Sequence, residues 1–177
     1  MRSKLFVPAA RPELFSKALA GDADALSFDL EDAVAEERKA QARAALSALL
    51  ESGALAHGGK TIIVRTNAPR SPHFEADLDA IVRPGVDLIN LPKIESPAML
   101  LAAIVMIEQA ERAHGVTQPT SLLVNVETPQ ALADAAEIAA AHPRVTGLQL
   151  GLGDLFEAHG IDRADPRNVH AAMFTLR

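Results

Sequence analysis

Two carboxylates follow two neighbouring apolar stretches of the sequence. The run Ser121–Val126 leads directly to Glu127, and the run at residues 146–152 leads to Asp154. Short runs rich in Val and Leu are typical of buried parallel strands, and α/β barrels place catalytic groups where such strands end. Mg2+ takes oxygen ligands, often one or two protein carboxylates together with water and substrate oxygens. The pattern predicts a metal site at Glu127 and Asp154, although each acid could simply cap the helix that follows it.

Four further charged residues lie near the carboxyl ends of predicted strands or just after them. The guanidinium of Arg65 offers a rigid fork to a substrate carboxylate or carbonyl oxygen, but it could equally form a structural ion pair with Asp29 or Glu31. Glu31 and Asp32 could relay protons or orient metal-bound water, or they could belong to a solvated helix N-terminus. Lys93 could reach the same region or form a salt bridge across it.

Apolar runs alternate with helical patterns along the whole chain. Strands are predicted at Lys4–Pro8, at residues 25–30, 60–67 and 86–91, at Ser121–Val126 and at residues 146–152. Helices are predicted from Arg11 through residue 19 and at residues 36–50, 74–82, 96–114 and 129–141, with a last one from about Asn168. Residues 57–59 predict a turn. The charged residues 36–39 predict a solvated helix start, and a loop is expected from Asp154 onward.

Six strand–helix units in strict alternation imply a parallel α/β sheet with right-handed crossovers. A doubly wound sheet and a (β/α)8 TIM barrel both fit that pattern. The barrel is favoured because no Gly-x-Gly-x-x-Gly turn follows the first strand and charged residues stand at the ends of several strands. Such a barrel usually needs about 250 residues. We therefore expect a single barrel domain over residues 1–177 that lacks its last two strand–helix units.

The charge, cysteine content and hydropathy of the chain argue against several classes of function. The 177 residues are 49% hydrophobic, and the net charge of -6 comes from 23 acids and 17 bases that are interspersed. Nucleic-acid and membrane-surface binding are disfavoured because the chain has no block of like charge. It has no cysteine, and no apolar run is long enough to span a bilayer, so a cytoplasmic protein is expected. The six histidines show no metal-ligand spacing and are expected at the surface.

Six short motifs carry a resemblance to a known family. They are Leu-Phe-Val-Pro at residues 5–8 with Arg-Pro-Glu at 11–13, Asp-Leu-Glu-Asp-Ala-Val at 29–34, Ile-Val-Arg-Thr-Asn at 63–67, Leu-Pro-Lys at 91–93, Val-Glu-Thr at 126–128 and Gly-Leu-Gly-Asp at 151–154. In this order and spacing, the sequence resembles the citrate lyase β-subunit-like branch of the HpcH/HpaI aldolase superfamily. The family pattern also has final strands and a C-terminal lid that have no counterpart in these 177 residues.

The resemblance implies a (β/α)8 barrel that forms or cleaves a carbon–carbon bond with Mg2+. The implied substrate is a 3-hydroxy acid thioester of coenzyme A or a carrier, such as a citryl, malyl or citramalyl thioester, and the implied assembly is a homo-oligomer, a trimer or hexamer. Two alternatives stay open. One is a class II aldolase that releases pyruvate from a free hydroxy-oxo acid, which is disfavoured because Glu31 and Asp32 stand where such relatives place a histidine base. The other is a non-catalytic barrel subunit of a larger complex.

The resemblance also assigns roles to individual residues. Glu127 and Asp154 would bind the metal, and Glu127 and Arg65 would contact the substrate. Arg65, Glu31 and Asp32 would be the catalytic or acid–base groups. The thioester carrier would contact Phe6, Arg11 and Lys17.

Overall fold

The computed structural model describes residues 1–55 and 59–176, so the turn predicted at residues 57–59 lies mostly outside the described residues. The strands are β1 (Lys4–Pro8), β2 (Ala25–Asp29), β3 (Thr61–Arg65), β4 (Leu88–Leu91), β5 (Ser121–Val126) and β6 (Val145–Leu150). The helices are α1 (Phe15–Ala20), α2 (Lys39–Glu51), α3 (Phe74–Ile81), α4 (Pro97–Ala113), α5 (Pro129–Ala133), α6 (Ala135–Ala140), α7 (Leu152–Glu157) and α8 (Pro166–Leu176). Short 3-10 turns at Pro12–Leu14 and Glu36–Arg38 precede α1 and α2.

The six strands of the described residues are parallel and lie side by side in chain order, from β1 to β6. A doubly wound sheet would reverse its strand order part-way, so that alternative is wrong. The side chain of Lys4 on β1 reaches Gln149 on β6. A flat sheet would hold these two strands about 24 Å apart. The sheet is therefore strongly curled, which agrees with the predicted barrel geometry, and the prediction of an α/β fold with six strand–helix units is confirmed.

The core lies between the convex face of the sheet and the surrounding helices. Phe28 on β2 meets Phe15 of α1 edge to face, with ring centroids 5.2 Å apart. The concave face carries a small apolar cluster of Ala25, Ile63 and Leu123. The strands thus bury one side against helices and leave the other side available for polar groups near their carboxyl ends. Within the described residues, no helix combines the length and apolar character needed to cross a membrane.

Three predictions for the last part of the chain differ from the structure. The helix predicted at residues 129–141 is two helices, α5 and α6, which meet at Asp134. The last strand ends at Leu150. The N–H of Gly151 still donates to the Val126 carbonyl at 2.9 Å, and beyond this residue the chain leaves the sheet. Helix α7 begins one residue later, so Asp154 lies in the first turn of a helix where a loop was predicted.

The histidines only partly match their prediction. His57 lies outside the described residues, and His159 and His170 are exposed. His73 and His114 are half-buried and lie beside carboxylates, with His73 Nε2 2.6 Å from Glu36 and His114 Nε2 3.1 Å from Asp79.

Candidate active site

Glu127 stands just beyond β5 and is almost fully buried, with 3% of its surface exposed. Its Oε1 accepts a hydrogen bond from the Lys93 backbone N–H at 2.6 Å, and its Oε2 accepts one from Asn125 Nδ2 at 3.1 Å. Each carboxylate oxygen can accept a second bond, so the group is fixed without being saturated. Burial raises the pKa of Glu127, and the nearby negative charge of Asp154 raises it further. A cation beside these two acids would therefore be stabilised.

Gly151 leaves room for the Glu127 side chain. A Cβ atom at Gly151 would lie 2.7 Å from both Cβ and Oε2 of Glu127, which is too close for any real contact. The requirement for glycine here is one of space, since the backbone φ of Gly151 is -95°. Gly151 belongs to the Gly-Leu-Gly-Asp motif, but the sequence alone predicted no role for it.

We expect Gly151→Ala to weaken Mg2+ binding by about 10- to 100-fold, because the added methyl must displace the carboxylate of Glu127. The matched control is Gly153→Ala, since nothing lies within 4 Å of a Cβ at that position. Calorimetric titration of Mg2+ into both variants measures the effect. Equal affinities in the two variants would show that the close approach to Glu127 does not matter.

Lys93 connects two parts of the site. Its backbone φ of 55° lies in the left-handed region, where a non-glycine residue is uncommon. This conformation accompanies the hydrogen bond from its N–H to Glu127. Its side-chain Nζ lies 3.0 Å from Glu31 Oε1 and 3.8 Å from Asp32 Oδ1. The two interpretations of Lys93 from the sequence are therefore compatible: the residue reaches the site and also forms salt bridges across it.

Arg65 forms the ion pairs that were one of its two predicted roles. Its Nε and one terminal nitrogen donate to the two carboxylate oxygens of Asp29 at 2.8 and 2.6 Å. Its other terminal nitrogen lies 3.1 Å from Glu31 Oε2 and 3.3 Å from Asp32 Oδ2. One guanidinium thus holds three acids that follow or end β2. A contact between Arg65 and substrate stays a prediction.

Glu31 is buried between two cations. Its oxygens lie 3.1 Å from Arg65 and 3.0 Å from Lys93. Burial nevertheless dominates and raises the pKa of Glu31 to about 7. A carboxyl group with a pKa near neutrality can both accept and donate a proton, which suits the predicted acid–base role.

This pKa predicts a pH-dependent difference in stability between wild type and Glu31→Gln. The folded-state pKa of about 7 exceeds the ordinary value of 4.5, so between those values the folded protein binds more protons than the unfolded chain. Wild-type stability should therefore fall by up to about 3 kcal/mol as pH rises through this window, and Glu31→Gln should not share that loss. Urea unfolding of both proteins at pH 5 and pH 8 measures it. A difference that does not change with pH would contradict the expectation.

The predicted metal ligands and acid–base residues line two adjoining cavities. Glu127 and Asp154 lie in the wall of a cavity of about 540 Å3, together with Arg70 and Thr128. Glu31 and Asp32 line a neighbouring cavity of about 290 Å3. Lys93 lines both. The structure thus brings the predicted metal ligands into one cavity and places the predicted acid–base pair beside it.

The residues predicted to contact the thioester carrier are more dispersed. Phe6 is exposed on the concave face, where its ring centroid lies 4.5 Å from Lys4 Nζ and 5.9 Å from Arg65 Cζ. Arg11 is exposed and pairs with Glu13 at 2.9 Å, and Lys17 is exposed on α1. None of the three lines the two cavities described above. Their role in carrier binding stays a prediction.

Residues 2–173 match the sequence profile of the HpcH/HpaI aldolase/citrate lyase family. The chain belongs to this family. The L-malyl-CoA/beta-methylmalyl-CoA lyase of Cereibacter sphaeroides is 37% identical over 163 residues, which cover 90% of this chain and 51% of the relative. The citrate lyase subunit beta of Leuconostoc mesenteroides subsp. cremoris is 33% identical over 154 residues, covering 86% and 50%. The resemblance to the citrate lyase β-subunit-like branch is therefore confirmed.

Solved structures of similar proteins support the same family assignment. The citrate lyase beta subunit from M. tuberculosis, complexed with oxaloacetate and magnesium, superposes with a TM-score of 0.75 at 32% identity, covering 98% of this chain and 70% of that one. The chain spans about half the length of the curated relatives that it matches.

The donor set fits the Mg2+ that this family resemblance implies. Glu127 and Asp154 share one cavity wall, and the burial of Glu127 beside another acid favours a cation there. Among residues 1–55 and 59–176, no three His, Cys, Asp or Glu side chains cluster closely enough to hold a metal ion alone. Two carboxylates supplemented by water and substrate oxygens make a normal magnesium site, whereas zinc or calcium would need more protein ligands.

A buried network that was not predicted from the sequence lies behind the acids. Lys39 was predicted to be solvated, but it is buried and its Nζ donates to the carbonyls of Leu30 and Glu31, both at 3.1 Å, and to Asn67 Oδ1 at 2.7 Å. Asn67 in turn donates to the fully buried Asp77 through its backbone N–H and its Nδ2, both at 2.7 Å. This network fixes the backbone that carries Glu31.

A signal for this network was present in the sequence. Lys39 falls at helical spacing with Ala42, Leu46 and Leu50, the buried face of α2. A lysine on the apolar face of a helix needs buried acceptors. The charged neighbours at residues 36–38 concealed that periodicity.

Proposed function

We propose that this chain carries the magnesium and acid–base groups of a carbon–carbon lyase that acts on a 3-hydroxy acid thioester of coenzyme A. The observation that carries the proposal is the placement of Glu127 and Asp154 in one cavity wall, beside the Glu31–Lys93 ion pair. The lyase names of the two relatives, and their coenzyme A and citrate substrates, support the reaction class. Because the chain spans about half of those relatives, the activity of the whole protein is part of the proposal.

Glu127 and Asp154 would hold Mg2+. When bound, Mg2+ acts as a Lewis acid that stabilises negative charge on substrate oxygens. The Lys93 N–H and Asn125 Nδ2 keep the Glu127 carboxylate in place for this purpose.

Glu31 is the group we assign to proton transfer. In the cleavage direction, its carboxylate accepts the proton of the substrate 3-hydroxyl. The carbonyl then forms as the carbon–carbon bond breaks, and the electron pair of that bond becomes the enolate of the acyl thioester. The enolate carbon takes up a proton from solvent, and Glu31 gives its proton back to solvent, so the protons balance. A pKa of about 7 suits a group that accepts a proton in one direction and returns it in the other.

Cationic side chains would bind the rest of the substrate. Arg65 can exchange its longest contact, 3.3 Å to the exposed Asp32, for a substrate oxygen while it keeps both bonds to Asp29. Arg11 and Lys17 are exposed cations on the segment after β1 and suit the phosphates of coenzyme A, and Phe6 offers a ring for stacking. The predicted homo-oligomeric state and cytoplasmic location stay predictions.

The test combines binding with turnover. Calorimetry should show Mg2+ binding that is tighter in the presence of oxaloacetate, which mimics the chelating half of the substrate. The protein with Mg2+ should then release acyl coenzyme A from malyl-, citramalyl- or citryl-coenzyme A. Pyruvate release from free hydroxy-oxo acids alone would favour the aldolase alternative. Metal binding without turnover would favour the non-catalytic subunit, and folded protein that binds neither metal nor oxaloacetate would reject the proposed site.

A further inference from the structure

A chain of hydrogen-bonded side chains crosses the concave face of the sheet and ends on Glu127. It begins at Lys4 on β1, whose Nζ donates to Gln149 Oε1 on β6. Gln149 Nε2 donates to Asn125 Oδ1 on β5 at 3.1 Å, and Asn125 Nδ2 donates to Glu127 Oε2 at 3.1 Å. Two amides therefore connect an ammonium group to the proposed metal ligand.

The chemistry of the first donor determines which way both amides point. An ammonium group can only donate, so Gln149 must turn its oxygen toward Lys4 and its NH2 group toward Asn125. Asn125 must then turn its oxygen toward Gln149, which leaves its NH2 group facing Glu127. The orientation of the amide that touches Glu127 thus follows from the position of a charge on the opposite edge of the sheet.

Asn90 supplies a second anchor for the same orientation. Its Nδ2 donates to the main-chain carbonyl of Leu123 at 3.0 Å, and a carbonyl can only accept. The same nitrogen donates to Asn125 Oδ1 at 2.8 Å. Asn125 Oδ1 therefore accepts from two donors whose directions are independently fixed. A reversed Asn125 would place its oxygen against a carboxylate oxygen and its NH2 group against two other NH2 groups, in a buried environment where such contacts go uncompensated.

We infer that Lys4, Gln149 and Asn90 are positioning residues for Glu127. Through Asn125 they hold one oxygen of the Glu127 carboxylate, while the Lys93 N–H holds the other. With both oxygens held in this way, the carboxylate of Glu127 cannot rotate, and the lone pairs that accept no hydrogen bond keep a fixed direction. The consequence for Mg2+ rests on the proposed function, whereas the orientation of the amides does not.

Three variants test this role. Lys4→Met removes the charge that orients Gln149, and Lys4→Arg keeps a donor and should restore wild-type behaviour. Gln149→Glu has the shape of Gln149 and still accepts from Lys4, but it presents an oxygen to Asn125 Oδ1 in place of a donor. A residue that merely filled space would tolerate Gln149→Glu, so this variant separates positioning from packing even if Lys4→Met does not fold.

The direct readout is the side-chain NH2 resonance of Asn125 in 15N-labelled protein, assigned by its loss in Asn125→Ala. Lys4→Met and Gln149→Glu should shift this resonance and speed its exchange with solvent, and should weaken Mg2+ binding by about 10-fold or more. Arg2→Met is the matched control, because Arg2 is an exposed cation just before β1 whose partner is Asp24. It should leave both measurements at wild-type values.

An Asn125 NH2 resonance that keeps its wild-type position and exchange rate in both Lys4→Met and Gln149→Glu would overturn the inference. This test can fail or succeed independently of the proposed function, because it does not require Mg2+ to bind. If the resonance responds as expected while wild-type protein binds no Mg2+, the positioning role stands and the proposed lyase site fails.

Discussion

Glu127→Gln is expected to weaken Mg2+ binding by at least about 100-fold, a larger loss than for residues that only orient a metal ligand. The substitution removes the negative charge from a cavity wall where only Asp154 remains as a proposed ligand. It should lower the free energy of unfolding by about 1–3 kcal/mol. Burial already disfavours the charged form of this carboxyl group, and the amide oxygen of Gln can still accept from the Lys93 N–H. The NH2 group of Gln then faces Asn125 Nδ2 and leaves that donor without its acceptor.

Calorimetric Mg2+ titration and urea unfolding of the same preparation measure both effects. Glu95→Gln is the matched control, because Glu95 lines the same cavity and the change is chemically identical. It should alter Mg2+ affinity by less than about threefold. Wild-type affinity in Glu127→Gln would remove Glu127 from the metal site, and the same large loss in Glu95→Gln would show that the cavity attracts Mg2+ through its overall charge.

The strands and the acids at their ends were predictable because both depend on local sequence. Lys4–Pro8 and Ser121–Val126 are apolar runs bounded by turn residues, and the structure has both with unchanged bounds. Parallel pairing then places their carboxyl ends at one edge of the sheet. Glu127 and Asp154 were therefore expected near each other, and they line one cavity.

The contacts that fix those acids were not predictable in the same way, because each depends on backbone geometry or on residues far apart in the chain. The left-handed conformation of Lys93 carries no composition signal, since the residue is not a glycine. The space requirement at Gly151 exists only because β6 approaches Glu127 closely. Lys4 and Gln149 meet only because the sheet curls. Sequence patterns indicate which elements form, but not how tightly two of them approach.

Arg65→Met is expected to lower the free energy of unfolding by about 3–5 kcal/mol at pH 7, because it removes one partner of a buried ion pair. Asp29 would lose two hydrogen bonds to the guanidinium, and within the described residues only the Glu31 and Ala33 N–H groups would still donate to it. Glu31 would keep only its contact with Lys93. Urea unfolding measures the loss, and Arg70→Met, an exposed arginine on the cavity wall, should change stability by less than about 0.5 kcal/mol.

A second substitution separates the ion pair from the packing of the Arg65 side chain. Asp29→Asn in the Arg65→Met background removes the uncompensated charge. It keeps one acceptor oxygen, so one of the N–H groups of Glu31 and Ala33 keeps its partner and the other faces the new NH2 group. The double variant should therefore be more stable than Arg65→Met alone, because leaving a buried carboxylate unpaired costs more than replacing both partners with neutral groups. If the double variant is no more stable, the loss in Arg65→Met comes from packing. Wild-type stability in Arg65→Met would instead mean that the guanidinium contributes nothing to the fold, and its place beside Asp29, Glu31 and Asp32 would then have to be explained by substrate binding alone.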